Sequence, residues 1–112
     1  MTAHIVIPVT DSKPATLSHK FITEILRNEL GFDGVVITDD IEMASAGNSS
    51  KQTAIEAILA GDDMIIDTST PEKAVAIFNS LKKAVLSKEI PEERINQSVI
   101  RILNLKTSLI KQ

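Results

Sequence analysis

The chain has 112 residues and a formal net charge of −3, with 43% hydrophobic and 24% charged residues. This length suits one domain and falls well short of the roughly 250 residues of a complete β/α barrel. The composition is that of an ordinary globular chain with little room for extensive disorder. The acidic balance argues against a nucleic-acid surface, because phosphate binding needs clustered basic residues.

The chain contains no cysteine, which excludes a thiolate nucleophile, a disulfide and a cysteine metal site. Its two histidines, His4 and His19, lack the spacing of zinc ligands. We therefore expect neither a metal nor a cofactor. The apolar runs are strand-sized and the N-terminus lacks the features of a secretory signal, so we expect no membrane segment and a cytoplasmic location.

Strands and helices alternate in the first half of the chain. Residues 3–8 are predicted to form the first strand, a β-branched run that ends at a proline. The helix that follows has Ser18 as its predicted N-cap and ends at Gly31, since glycine is the usual residue beyond a helix. Residues 35–38 form the second predicted strand, and a polar loop at 44–50 comes after it.

The same alternation continues in the second half. A predicted helix over residues 53–60 ends at Gly61, and the third strand covers residues 63–67. Alternation of this kind indicates parallel strands joined by right-handed crossovers. We predict an α/β fold, a partial TIM-type barrel of three parallel strands (βα, βα, βαα) over residues 1–112. Three strands cannot close a barrel, so we expect further strands, a second copy or a partner chain to cover the open edges.

Two helices complete the predicted fold. Thr70 and Pro71 begin the first of them, because proline is favoured at the first helical position. The second begins near Pro91 and runs to about residue 110. Helical spacing predicts buried stripes on both helices. The predicted stripe residues are Ala74, Ile77, Phe78, Leu81, Val85 and Leu86 on the first helix, and Ile95, Val99, Ile102, Leu103 and Leu105 on the second.

Two aspartates, Asp39 and Asp40, follow the predicted strand at residues 35–38. Ligands of parallel α/β sheets bind at the carboxyl ends of the strands, so a carboxylate there is a candidate for catalysis. On spacing alone, capping of the next turn or helix explains either aspartate equally well. A second pair, Asp62 and Asp63, is interpreted as turn and strand-start residues.

Five segments carry a family resemblance. They are MTAHI at 1–5, PATLS at 14–18, LRNELGFDGVVITDDIEM at 26–43, AGDDM at 60–64 and ERINQSVIRIL at 93–103. In this order they resemble the later part of the barrel domain of glycoside hydrolase family 3, in its β-N-acetylhexosaminidase branch. The resemblance implies retaining hydrolysis of terminal β-linked N-acetylglucosamine in cell-wall or chitin-type sugars.

The resemblance also implies roles for individual residues. Asp39 matches the nucleophile, which attacks the anomeric carbon while a second group about 5 Å away protonates the leaving oxygen. Asp40 is then a neighbour that orients the loop or binds through water. His4 faces the same pocket and either contacts sugar hydroxyls or is satisfied by backbone groups. Met43 and Glu42 either border the sugar site or are a core methionine and a helix-start acid.

The acid/base aspartate–histidine pair and the lysine–histidine sugar-binding motif of that branch have no match in this chain, since both lie before the position equivalent to His4. General acid catalysis is worth about 10²- to 10⁴-fold in rate, so we expect negligible glycosidase activity from the chain alone. The alternative is a non-catalytic, half-barrel-like module that self-associates through its open sheet edges. A phosphate-binding βα module lacks the glycine-rich loop that would support it.

Overall fold

The computed structural model describes residues 1–44 and 49–111 of the chain. Its sheet has two parallel strands, β1 at Ile37–Asp40 and β2 at Met64–Ile66. The helices of the described ranges are a 3₁₀ turn at Ala15–Leu17, a π-helix at Lys20–Glu29, α1 at Ile41–Ala44, α2 at Ser50–Ala60, α3 at Pro71–Leu86 and α4 at Glu92–Ile110. The predicted α/β class with a parallel sheet is confirmed. Within these ranges, no helix combines the length and apolarity needed to span a bilayer.

The predicted strand at residues 3–8 is wrong, so two of the three expected strands are present in the described ranges. This segment does run beside β1, where the N–H of Thr2 donates to the carbonyl of Ile37 at 2.8 Å. The carbonyls of Ala3 and Ile5 instead accept hydrogen bonds from N–H groups of the 3₁₀ turn, at 3.2 and 2.9 Å. Within the described ranges the Thr2 bond alone links the backbone of this segment to β1, and one hydrogen bond does not make a ladder.

Strand β1 ends later than predicted, because Asp40 still pairs with Ile66 of β2. Asp39 and Asp40 are therefore the last two residues of the strand instead of following it. Helix α1 begins directly afterwards, and α2 begins at Ser50 instead of residue 53. The loop predicted at 44–50 falls mostly on residues 45–48, which lie outside the described residues.

The first predicted helix is a π-helix. Leu30 donates its N–H to the carbonyl of Ile25, five residues back, at 2.9 Å. Gly31 then adopts a positive φ of 69°, the conformation that glycine supplies at helix ends. Ser18 caps the other end as predicted, since its Oγ accepts a hydrogen bond from the N–H of Phe21 at 3.1 Å. Apolar spacing predicted a helix here but did not distinguish the wider turn.

Helix α2 lies at the centre of the core and is buried on most of its surface. Its buried residues are Thr53, Ala54, Ile55, Ala57, Ile58 and Ala60. Ala57 packs in a cluster with Ile41 and Ile77, and Ala60 packs with Ile22 and Val36. The small side chains of the helix let the sheet and the flanking helices approach closely, which brings α1 and α3 together beside the ends of both strands.

The stripes predicted on α3 and α4 are only partly buried. On α3, Ile77 is buried, but Phe78 and Leu86 expose 64% and 76% of their surface. On α4, the buried residue is Ser98. The predicted stripe residues that prove exposed are Ala74, Phe78, Leu86, Val99, Leu103 and Leu105. Helical periodicity identified apolar faces correctly, but it carries no information on what covers them.

A buried ion cluster anchors α4 and the π-helix at the amino end of β2. The fully buried carboxylate of Asp63 contacts three guanidinium groups, those of Arg27 at 2.6 Å, Arg94 at 3.2 Å and Arg101 at 3.1 Å. Ser98 adds a hydroxyl hydrogen bond at 2.7 Å. Asp63 therefore joins elements that are distant in sequence, a role that goes beyond the predicted strand start.

Opposing effects act on the pKa of Asp63. Burial by itself raises this pKa, because it disfavours the charged form. The N–H of Val36 at 3.0 Å, the hydroxyl of Ser98 and the charge of Arg27 oppose burial. Together they hold the pKa of Asp63 below its usual range, so the carboxylate stays ionised within the cluster.

Asp62, the adjacent residue, is also fully buried but has fewer partners. Its Oδ1 accepts a hydrogen bond from the hydroxyl of Thr2 at 3.1 Å, and its Oδ2 has no hydrogen-bond partner in the described part of the chain. Burial raises the pKa of this carboxyl to about 7, outweighing the hydrogen bond from Thr2 and the charge of Arg94. Asp62 is therefore a candidate for protonation near neutral pH.

Candidate active site

The carboxyl ends of the parallel strands β1 and β2 form one rim of the sheet. Asp39 and Asp40 end β1, and the loop with Thr68 connects β2 to α3. His4 reaches the same rim from the N-terminal segment, where its ring contacts Asp40. The structure thus brings together three residues that the sequence placed near one site.

Asp39 is half-buried at the end of β1. Its Oδ1 accepts a hydrogen bond from the N–H of Asp40 at 2.8 Å. In the described ranges no donor contacts its Oδ2. The backbone thus orients one carboxylate oxygen, and the hydrogen bonds of the described residues leave the other unconstrained.

Asp40 has both carboxylate oxygens engaged. Oδ1 accepts hydrogen bonds from the N–H groups of Glu42 at 3.1 Å and Thr68 at 3.4 Å. Oδ2 accepts a short hydrogen bond from the hydroxyl of Thr68. The Thr68 hydroxyl is the main cause that holds the pKa of Asp40 below its usual range, against an opposing effect of burial. This difference in hydrogen bonding separates two aspartates that spacing alone could not.

His4 is held by the backbone of the neighbouring strand. Its Nε2 lies 2.9 Å from the carbonyl oxygen of Asp40, and Nε2 must carry the proton because a carbonyl only accepts. Its Nδ1 is buried and has no hydrogen-bond partner in the described part of the chain. One ring nitrogen therefore follows the backbone-satisfied alternative, while a contact of His4 with sugar stays a prediction.

Met43 and Glu42 lie on α1, directly after the rim. Met43 exposes 67% of its surface, so its interpretation as a core methionine is wrong, and its place beside a sugar stays a prediction. Glu42 accepts a hydrogen bond from Ser50 at 2.6 Å and pairs with Lys73 at 3.4 Å. These contacts tie α1 to α2 and α3 beside the rim.

A family model described as the glycosyl hydrolase family 3 N terminal domain matches residues 1–105 of the chain. The chain belongs to glycosyl hydrolase family 3. The match extends over the π-helix, both strands and most of α4, so the resemblance based on five separate segments is confirmed along nearly the whole sequence.

Individual relatives agree with this family. A β-hexosaminidase of Methylobacillus flagellatus is 39% identical over 84 residues, which are 73% of this chain and 24% of that protein. A lysosomal β-glucosidase of Dictyostelium discoideum is 41% identical over 98 residues, covering 86% of this chain and 12% of that protein. The chain spans about a quarter of the length of the first of these curated relatives.

A solved structure gives the same result at the level of the fold. The family 3 β-N-acetylglucosaminidase from Paenibacillus sp. str. FPU-7 superposes with a TM-score of 0.89 and is 43% identical. The superposition covers 96% of this chain and 21% of that chain. The small parallel sheet and its helices therefore match a section of a family 3 barrel domain.

Sequence reasoning missed two features of this family 3 chain. Thr68 carries no signal beyond its position after a predicted strand. The arginine cluster did carry one, because Arg94, Ser98 and Arg101 recur at spacings of four and three and so place polar groups on one face of α4. Polar residues at helical spacing on an amphipathic helix could have indicated a buried partner such as Asp63.

Proposed function

We propose that this chain is the nucleophile-bearing part of a retaining β-N-acetylhexosaminidase barrel. The observation that carries the proposal is Asp39, a carboxylate at the carboxyl end of a parallel strand with one oxygen oriented by the N–H of Asp40 and the other without a donor in the described ranges. Carboxylates at this end of the strands are where β/α barrels carry their catalytic groups.

In the proposed reaction, Asp39 attacks the anomeric carbon of a terminal β-linked N-acetylglucosamine. The bond to the leaving oxygen breaks as a covalent glycosyl-enzyme forms, and water then releases the sugar with retained configuration. The oxygen that leaves needs a proton, and by resemblance the acid/base group lies on a loop that this chain does not match. We therefore propose negligible turnover by the chain alone, since loss of a general acid costs about 10²- to 10⁴-fold.

The names of the relatives support a hexosamine substrate. The Methylobacillus flagellatus relative is a β-hexosaminidase and the Paenibacillus structure is a β-N-acetylglucosaminidase. A β-glucoside is the competing substrate, because the Dictyostelium discoideum relative is named a β-glucosidase. The chimaera described below distinguishes these substrates by its rates on para-nitrophenyl N-acetyl-β-glucosaminide and on para-nitrophenyl β-glucoside.

A chimaera tests the proposal. In the Methylobacillus flagellatus β-hexosaminidase, the section that this chain matches is replaced by the chain itself. We expect the chimaera to hydrolyse para-nitrophenyl N-acetyl-β-glucosaminide, Asp39→Asn to reduce turnover to background, and the exposed control Asp33→Asn to leave it unchanged. Turnover that survives Asp39→Asn would contradict the proposed nucleophile, and turnover by the isolated chain would contradict its inactivity.

The non-catalytic alternative has its own supporting observation. Within the described residues β2 pairs with β1 alone, and the apolar faces of α3 and α4 are open, with Phe78 and Leu86 largely exposed. Proteins usually cover such edges and patches. A self-associating module predicts a dimer or higher oligomer by light scattering that dissociates in Phe78→Lys, whereas a monomer at micromolar concentration argues against it.

A further inference from the structure

Asp40 joins three segments of the chain that meet at the rim. Its carboxylate accepts hydrogen bonds from the N–H of Glu42 in α1 and from the N–H of Thr68 in the loop before α3, at 3.1 and 3.4 Å. The hydroxyl of Thr68 donates to the second oxygen. The carbonyl of Asp40 accepts the Nε2–H of His4, on the N-terminal segment, at 2.9 Å.

These contacts fix Asp40 on both sides of its Cα atom. The side chain is held by Thr68 and Glu42, and the carbonyl is held by His4, so the backbone torsions between them have little freedom. The remaining polar group of Asp40 is its N–H, which donates to Oδ1 of Asp39 at 2.8 Å. That hydrogen bond couples the orientation of the Asp39 carboxylate to the backbone of Asp40.

We propose that Asp40 is a positioning residue that aims the Asp39 carboxylate, and that the Thr68 hydroxyl holds Asp40 in place for this task. The inference rests on the proposed function, since it assigns Asp39 the role of nucleophile. Both side-chain oxygens of Asp40 accept hydrogen bonds within the chain, so we assign Asp40 a role in orienting its neighbour and no direct contact with the sugar. Thr68 thereby links the loop after β2 to chemistry at the end of β1.

Asp40 is proposed to act through the position that it gives the Asp39 carboxylate and not through its own charge. A nucleophilic carboxylate must lie within near-attack distance and angle of the anomeric carbon, and a displacement of about 1 Å can cost roughly a hundredfold in rate. Loss of the Thr68 hydroxyl leaves the Asp39 carboxylate in place but frees Asp40, the neighbour that orients it. The expected signature is a fall in kcat with little change in KM.

The first test uses the full chain alone and nuclear magnetic resonance. Thr68→Val removes the hydroxyl at nearly constant shape, Thr68→Ser retains it, and Ser69→Ala removes a neighbouring hydroxyl that donates to Asp67 instead. We expect Thr68→Val to shift the carboxyl carbon resonances of Asp39 and Asp40 and the ring nitrogens of His4. Thr68→Ser should restore the original spectrum, and Ser69→Ala should leave these resonances in place.

The second test uses the chimaera with the Methylobacillus flagellatus relative. Thr68→Val should lower kcat by at least tenfold with KM within twofold of the parent value, Thr68→Ser should recover most of the loss, and Ser69→Ala should have no effect. An equal loss in Thr68→Val and Ser69→Ala, or no recovery with Thr68→Ser, would overturn the positioning role.

The two proposals fail in distinguishable ways. Turnover that persists in Asp39→Asn contradicts the nucleophile, whatever the Thr68 variants do. Turnover that is lost in Asp39→Asn but unchanged in Thr68→Val contradicts the positioning role alone. Unchanged Asp39 and His4 resonances in Thr68→Val of the full chain also overturn the positioning role, even if the chimaera is inactive.

Discussion

The dipeptide Asp-Asp occurs at both ends of the small sheet, with opposite physical consequences. Asp39 and Asp40 stand at the carboxyl end of β1, partly open to solvent, and their donors are backbone N–H groups and one hydroxyl. Asp62 and Asp63 stand just before β2, fully or almost fully buried. Strand direction and burial, and not residue type, separate the candidate catalytic pair at the rim from the structural pair in the core.

The number of charged partners marks the same division. Asp63 contacts three arginines, a set that fixes its carboxylate within the packed core. The described partners of Asp39 and Asp40 at the rim include no arginine. A carboxylate held by one hydrogen bond, as that of Asp39 is, can bind a substrate through its second oxygen, whereas one held by three guanidinium groups cannot do so without loss of the fold.

The largest expected effect concerns the buried pair. Asp63→Ala leaves three guanidinium groups without their shared counter-charge, and breaking a buried ion pair costs about 3–5 kcal/mol. We expect the variant to be largely unfolded at 25 °C, as measured by far-ultraviolet circular dichroism and urea titration. The exposed control Asp33→Asn should unfold like the parent. A cooperative transition at the parent's urea midpoint for Asp63→Ala would contradict the structural role that we assign to the buried pair.

A smaller effect follows from the pKa of Asp62, which is about 7 in the folded chain against an ordinary value of 3.8. The folded state binds a proton that the unfolded state releases, so the free energy of unfolding should fall as pH rises from about 4 to 7 and should stay level above that range. Each pH unit is worth at most about 1.4 kcal/mol.

Asp62→Asn removes the group that binds this proton, and so tests whether Asp62 causes the fall in the free energy of unfolding with pH. We expect the free energy of unfolding of the variant, from urea titrations at pH 5 and pH 8, to lose the part of the pH dependence that Asp62 supplies. Relative to the parent, the variant should gain stability toward pH 8. Parallel pH profiles for parent and variant would show that Asp62 is ionised throughout.

Much of this architecture could be read from the sequence, for identifiable reasons. Ser18, Gly31 and Pro71 act locally, through a side-chain cap, a positive φ and a fixed φ, so their helix ends were predictable. The non-local features were not. The strand expected at residues 3–8 does not form because one backbone hydrogen bond, from Thr2, joins this segment to β1. The Asp63 cluster forms where arginines of the π-helix and α4 meet one carboxylate.

The candidate site shows the same limit. Adjacent aspartates after a β-branched run placed Asp39 and Asp40 at a rim, and the family resemblance selected Asp39 as the nucleophile. The contact with Thr68, which engages the Asp40 carboxylate, spans 28 residues and has no local signature. The sequence pattern therefore predicts which residues lie at the rim. The role that we propose for each of them depends on three-dimensional contacts, such as that between Asp40 and Thr68.

Gly61 lies immediately before the buried pair, Asp62 and Asp63, and its substitution tests whether the turn at this position needs a glycine. Its φ is 128°, and a Cβ atom there would lie 2.8 Å from side-chain atoms of Ile22 and Thr23. We expect Gly61→Ala to cost about 1–3 kcal/mol of stability. Gly31→Ala, with a φ of 69° but open space around it, is the matched comparison and should cost about 1 kcal/mol. Equal thermal shifts would remove the steric explanation.

The smallest expected effect on stability is at the rim. Asp39→Asn keeps an acceptor for the N–H of Asp40, and the residue is only half-buried, so the free energy of unfolding should change by less than about 0.5 kcal/mol. Urea titration of the full chain measures this change. A loss of several kcal/mol would show that Asp39 stabilises the fold, as Asp63 does, and would contradict the difference that we draw between the rim pair and the buried pair.

The most direct test of the central claim is to trap the covalent intermediate on Asp39. The chimaera is incubated with a fluorinated N-acetylglucosaminyl fluoride, which forms a slowly hydrolysed glycosyl-enzyme, and the labelled peptide is sequenced by mass spectrometry. The account predicts one added sugar, attached to Asp39 and missing from Asp39→Asn. A sugar attached to Asp40 or to any other carboxylate, or labelling that persists in Asp39→Asn, would contradict it.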